Sequence, residues 1–132
     1  MKVFIVSAII YSEERKCVLM QHRDEHAPYN GKWGLFGGHN EEGEEAIEAL
    51  IRELYEELGV RLSASHAEFL FTIKRPEKPD YYIFLIKNNQ EKSDFVLGEG
   101  QGFDWVPIQH ILSYYLTDGG RIALEKFIDE YL

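Results

Sequence analysis

Glu53, Glu56 and Glu57 lie three and four residues apart within the segment Arg52-Glu53-Leu54-Tyr55-Glu56-Glu57. If that segment is helical, the three carboxylates share one face within a single turn. Like charges at this spacing cost about a few tenths of a kcal/mol per pair. No Lys or Arg separates them on that face, so the arrangement makes sense if the face holds something positive. Clustered hard oxygen donors suit Mg²⁺ or Mn²⁺.

The element that must carry these acids begins near Glu44 and ends at Gly59, a glycine placed as a helix stop. Ile47, Leu50, Ile51, Leu54 and Leu58 recur every three or four residues and predict an apolar stripe. At about 100° per residue, that stripe and the acidic face are separated by about a third of a turn. Ala46 and Ala49 fall on the acidic side, where small residues leave room for loops, ligand or solvent.

Upstream, Lys2–Tyr11 and Lys16–Arg23 read as strands, with Val18 and Met20 on one face of the second. A loop over residues 24–32 contains Pro28 and the turn signal Asn30-Gly31, and Trp33–Phe36 is a short strand running into Gly37-Gly38. Downstream, Ala67–Lys74 and Tyr81–Lys87 form a strand pair, joined by a segment whose Pro76 and Pro79 exclude regular sheet. Phe103–Val106 is a further strand. Pro107 suits the first turn of a helix carrying Ile108, Ile111, Leu112 and Tyr115. Thr117 or Asp118 can cap a last helix with Leu124, Phe127, Ile128 and Tyr131 on its inner face. Strands and helices mix without regular alternation. This predicts an α+β fold with a mixed sheet covered by helices, not a doubly wound parallel sheet.

The chain has 132 residues, enough for one domain with a real core, and 45% of them are hydrophobic. A single domain over residues 1–132 is expected. The opening run MKVFIVSAII is too short for a membrane span and continues as strand, so no membrane association is expected. The net charge of −9 argues against general binding to DNA or RNA. Cys17 is the lone cysteine, which rules out an intrachain disulfide and makes a cytoplasmic location the default.

The segment 38–60 resembles the signature of the Nudix hydrolases. That signature is Gly, five spacers, Glu, seven spacers, Arg-Glu-aliphatic, one spacer, Glu-Glu, one spacer, Gly-aliphatic. Here it reads Gly38, Glu44, Arg52-Glu53-Leu54, Glu56-Glu57 and Gly59-Val60, with every defined position matched. Gly31-Lys32-Trp33-Gly34 and Gly37-Gly38 precede it as in many members.

The resemblance implies a Nudix-type α/β/α sandwich and hydrolysis of a nucleoside diphosphate linked to another group, with Mg²⁺ or Mn²⁺ as cofactor. By matching position, Glu53, Glu56 and Glu57 bind metal, the Gly38 carbonyl is a further ligand, and Arg52 orients the carboxylates. Glu44 is read as scaffold. Glu99, before the Trp105 strand, is similar to an acid that members use outside the box. Either Glu53 or Glu99 would take the proton of the attacking water. Arg23 matches a phosphate-contacting position, Phe36 borders the base or sugar pocket, and His39, beside Gly38, is placed to touch phosphate.

The expected substrate is a (deoxy)nucleoside triphosphate, as for small MutT-like members. ADP-ribose, dinucleoside polyphosphates and nucleotide sugars stay open, as does a non-catalytic ligand-sensing module. Such a protein is expected to work as a monomer or homodimer on a small-molecule nucleotide.

Overall fold

The structure, a computed structural model, describes residues 2–26, 28–98 and 102–132. The elements run β1 (Phe4–Ser12), β2 (Cys17–His22), β3 (Trp33–Gly34), β4 (Phe36–His39), α1 (Ala46–Leu58), β5 (Glu68–Ile73), β6 (Asp80–Lys87), β7 (Gly102–Pro107) and α2 (Asp118–Tyr131). β1 is central because it is apolar on both faces. β6 pairs with it in parallel along one edge. β4 (at Ile5 to Ala8) and β2 (at Tyr11 and Ser12) pair antiparallel along the other. β3 and β7 flank β2, and β5 flanks β6, all antiparallel. One parallel pair among antiparallel ones makes the sheet mixed, as the irregular alternation predicts.

The pleat splits β1 between two cores. Phe4, Val6, Ala8 and Ile10 join Phe36, Leu50, Leu54 and Leu58 beneath α1. Ile9 and Tyr11 join Val18, Met20, Ile83, Leu124 and Phe127 beneath α2. Full burial of each such aliphatic or aromatic side chain contributes about 1.5–3 kcal/mol. The helices therefore clamp opposite faces, giving the expected sandwich.

Two predicted features differ. No α-helix starts at Pro107. The chain makes a single 3₁₀ turn at Ile111–Ser113 and then extends at Tyr114. Backbone pairing wins there: Trp33 N–H donates to Tyr115 O at 2.7 Å, and Thr117 N–H donates to Trp33 O at 2.9 Å. A segment this short gains too little from helix propagation to compete. Ala49 does not leave room beside the acids either; it is fully buried in the α1 core.

The last helix starts as expected. Gly120 N–H donates to the Thr117 side-chain oxygen at 3.2 Å. Thr117→Ala is expected to lower stability by about 1 kcal/mol, read as a reduced urea midpoint with unchanged slope.

Candidate active site

α1 packs on β1 and β4, which brings the helix acids against the Gly37-Gly38 backbone. Its start is fixed by Glu48, whose carboxylate accepts from Glu45 N–H at 2.9 Å. Gly59, at φ 68°, closes its end. The segment after α1 returns to cover that end: Val96 N–H donates to Leu58 O at 3.0 Å and Gly98 N–H to Glu57 O at 2.8 Å. These bonds satisfy carbonyls that a helix terminus otherwise leaves open.

The three acids have different surroundings. Glu57 is 1% exposed and belongs to the buried face of α1, not to a separate acidic face. Its Oε1 accepts from Gly37 N–H at 2.9 Å. Glu53 lies against Gly38 so closely that a Cβ built there would come within 2.6 Å of its carboxylate. Glu56 has 54% of its side chain exposed.

Arg52 ties the group together. Its Nε and Nη2 donate to the two oxygens of Glu44 at 2.8 and 2.9 Å, the bidentate fork that makes such pairs strong and directional. Its Nη1 donates to Glu53 at 3.0 Å and Glu56 at 3.3 Å, and its Nη2 also donates to the His39 carbonyl at 3.1 Å. A cation therefore does stand among the acids, supplied by the neighbouring residue. The hydrogen bond from Arg52 holds the Glu44 carboxyl below its ordinary 4.5. A depressed folded pKa gives stability that is present above pH 4.5 and is lost as pH falls through the folded value. Arg52→Gln is expected to lower the urea midpoint at neutral pH and to flatten its decline below pH 4.5. An unchanged acid slope would mean that the pair does not contribute.

The donor set fits a hard divalent cation as an open site, not as a closed cage. Among the described residues, no group of three His, Cys, Asp or Glu side chains is arranged to hold a metal. The reason is visible: Arg52 Nη1 bridges Glu53 and Glu56, while Glu57 is turned to Gly37. Mg²⁺ characteristically binds through one or two carboxylates and keeps several waters. Glu53, at the cleft, and the largely exposed Glu56 offer that, and the missing side chain at Gly38 gives the Glu53 carboxylate its place.

A cleft of about 550 Å³ opens beside Glu53, with Glu56 and Glu57 outside its lining. It brings together Glu53, Arg52, Gly38, His39 and Arg23. Arg23 stacks on Tyr29, its guanidinium carbon 3.8 Å from the ring centroid, and donates to Gln21 Oε1 at 3.1 Å. Phe36 is corrected: it is fully buried, in edge contact with Phe103 in the core beneath α1, and cannot border the cleft. Strand alternation explains this, since Leu35 lines the cleft while its neighbour points the other way. Glu99 lies outside the described residues.

Sequence reasoning missed Ser7, Arg75, Tyr81 and Gly119, which also line the cleft. Ser7 did leave a signal, as a small polar residue inside the otherwise apolar strand β1.

The NUDIX domain family matches residues 1–131. The nucleoside triphosphatase NudI of Klebsiella pneumoniae is 34% identical over 107 residues, spanning 73% of this chain and 76% of that protein. A nucleoside triphosphate pyrophosphatase/Nudix hydrolase fusion protein of Bifidobacterium longum is 29% identical over 121 residues. That match takes in 80% of this chain and only 23% of the fusion protein's length. In fold, a MutT structure from work on Aliivibrio salmonicida and Vibrio cholerae superposes with a TM-score of 0.81 at 22% identity, covering 99% of this chain and 100% of that one. No helix among the described residues is long and apolar enough to cross a membrane. With the family matched along nearly its whole length and its box running from β4 through α1, this chain belongs to the Nudix hydrolases.

Proposed function

We propose that this chain hydrolyses (deoxy)nucleoside triphosphates to the nucleoside monophosphate and pyrophosphate, using Mg²⁺ or Mn²⁺. The observation that carries this is the cleft itself, which is lined by the Glu53 carboxylate and Arg52 together with the guanidinium of Arg23. A polyphosphate held through a cation matches that set of charges. The name of the NudI relative, a nucleoside triphosphatase, supports the same reading.

Glu53 and Glu56 would hold the cation, with Glu57 as a third carboxylate and the Gly38 carbonyl as a backbone donor. When bound, the cation supplies charge neutralisation at phosphate oxygens and a lowered pKa for water. The rest is positioning and electrostatics. Arg52 keeps Glu53 and Glu56 in register through its fork to Glu44. Arg23, braced by Tyr29, meets a phosphate oxygen. His39 borders the same phosphates. Water attacks the α- or the β-phosphorus, the α–β bridging P–O bond to that phosphorus breaks with its oxygen leaving on the other fragment, and the water's proton passes to Glu53 or Glu99.

The test is product analysis with Mg²⁺ across triphosphates, ADP-ribose, dinucleoside polyphosphates and nucleotide sugars, in ¹⁸O-labelled water. Nucleoside monophosphate and pyrophosphate from triphosphates are expected, and the label identifies the attacked phosphorus. Turnover confined to another class would move the substrate. Binding without turnover would make the chain a sensing module.

A further inference from the structure

One arginine in the cleft has no task in the chemistry described so far. Arg75 follows β5 in the proline-containing connection to β6. Among the described residues its buried Nε has no hydrogen-bond partner, and it forms no ion pair with them. In a protein of net charge −9, a half-buried guanidinium with no carboxylate beside it among the described residues leaves donors for something else.

Its surroundings indicate what that is. The guanidinium carbon lies 5.4 Å from the centroid of the Tyr81 ring. Tyr81 is rigid: it is 7% exposed and its hydroxyl donates to Ser7 Oγ at 2.7 Å. The first turn of α2 closes on the same pair. A Cβ at Gly119 would come 2.5 Å from Tyr81 Cε2 and 3.6 Å from Arg75 Nη1. Ile5 and Leu35 add apolar wall. Flat apolar surfaces suit a planar ring better than a hydrated phosphate. Immediately around Arg75 and Tyr81 the polar groups are mostly donors. A guanidinium has N–H groups and no acceptor, the Tyr81 hydroxyl proton is committed to Ser7, and a helix's first turn presents N–H groups.

We propose that Arg75 is a specificity-determining residue that reads the nucleobase and selects bases presenting carbonyl acceptors over those presenting an amino group at the same position. This rests on the triphosphate reading above. An oxo purine or uracil would pair its oxygen with Arg75. The amino group of adenine or cytosine would set N–H against N–H and leave buried donors unpaired, the situation that discriminates most strongly between close analogues.

The test uses pairs that differ at that position: ITP against ATP, and UTP against CTP. Wild type should favour the oxo member of each pair in kcat/KM by about tenfold or more. Arg75→Ala should bring both ratios close to one, chiefly by raising KM for the oxo members. Arg75→Lys, which keeps the charge but loses the planar fork, should bind all four and discriminate poorly, and it serves if the alanine variant fails to fold. Arg23→Ala should weaken all four alike. Calorimetric binding of IMP, AMP, UMP and CMP without metal should show the same order in wild type and lose it in the Arg75 variants. Wild-type ratios near one would overturn the proposal. So would an equal loss on all four substrates in Arg75→Ala, the mark of a phosphate contact. If no triphosphate is turned over yet the monophosphates bind in the expected order, the triphosphate reading fails and the role of Arg75 stands. Monophosphates binding without that order would overturn the role itself.

Discussion

Glu53→Gln is expected to lower kcat/KM for the preferred triphosphate by about 10³-fold while the protein stays folded. Glu53 is the cleanest probe among the acids. Its carboxylate touches both the Gly38 backbone position and Arg52, so it stands where the helix acids face the cleft. Glutamine keeps the shape and the packing against Gly38 while removing the charge and one of the two acceptor oxygens. Arg52 does not lose its anchor, because its fork to Glu44 is untouched. Glu57→Gln would be harder to read, since Glu57 is buried and accepts from Gly37 N–H, so activity and fold would fall together. Glu56→Gln should lie between: its side chain is largely exposed, and its loss should weaken cation binding with little effect on stability. The measurements are steady-state kinetics over a Mg²⁺ titration, calorimetric Mn²⁺ binding and a urea melt. Full activity of Glu53→Gln with unchanged Mn²⁺ affinity would remove Glu53 from the site.

The parts of this fold that were legible in the sequence are those written in local chemistry. Gly59 ends α1 because an αL residue is needed there. Thr117 starts α2 because its hydroxyl can accept from Gly120. The spacing of Arg52, Glu53, Glu56 and Glu57 fixes their mutual placement within two helical turns. What was not legible depends on partners distant in the chain. The helix expected after Pro107 gives way to pairing with Trp33, and no window of the sequence contains both partners. Glu57 reads as one acid among several until Gly37, twenty residues earlier, supplies the N–H that makes its burial affordable. Arg75 reads as loop until β6 lays Tyr81 beneath it. The side of the cleft that carries the family box is thus one continuous segment, while the side proposed to read the base is assembled from β1, β6 and the start of α2.

Gly37→Ala is expected to cost about 3 kcal/mol or more of stability, from backbone strain combined with the loss of buried pairing. Gly37 has φ 152°, and a Cβ there would come 2.0 Å from the Val6 carbonyl oxygen and 2.7 Å from Ser7 Cα. Both obstacles are backbone atoms of the central strand, so no rotamer change relieves them. Relief requires β4 to move off β1 along the Ser7–Gly37 register. That motion would pull Gly37 N–H from Glu57 and draw Phe36 out of the α1 core. Gly38→Ala should behave differently although it is the next residue. Its Cβ would meet the far end of the Glu53 side chain, which can swing away at little cost in stability but at the expense of the cation site. Urea unfolding at neutral pH, paired with Mn²⁺ titration, separates the two. Gly37→Ala should shift the midpoint strongly. Gly38→Ala should leave the midpoint nearly unchanged and weaken the metal. Equal midpoints for Gly37→Ala and wild type would show that β4 is not held against β1 as tightly as its register implies, and the carboxylates of α1 would then lack the fixed floor on which their arrangement depends.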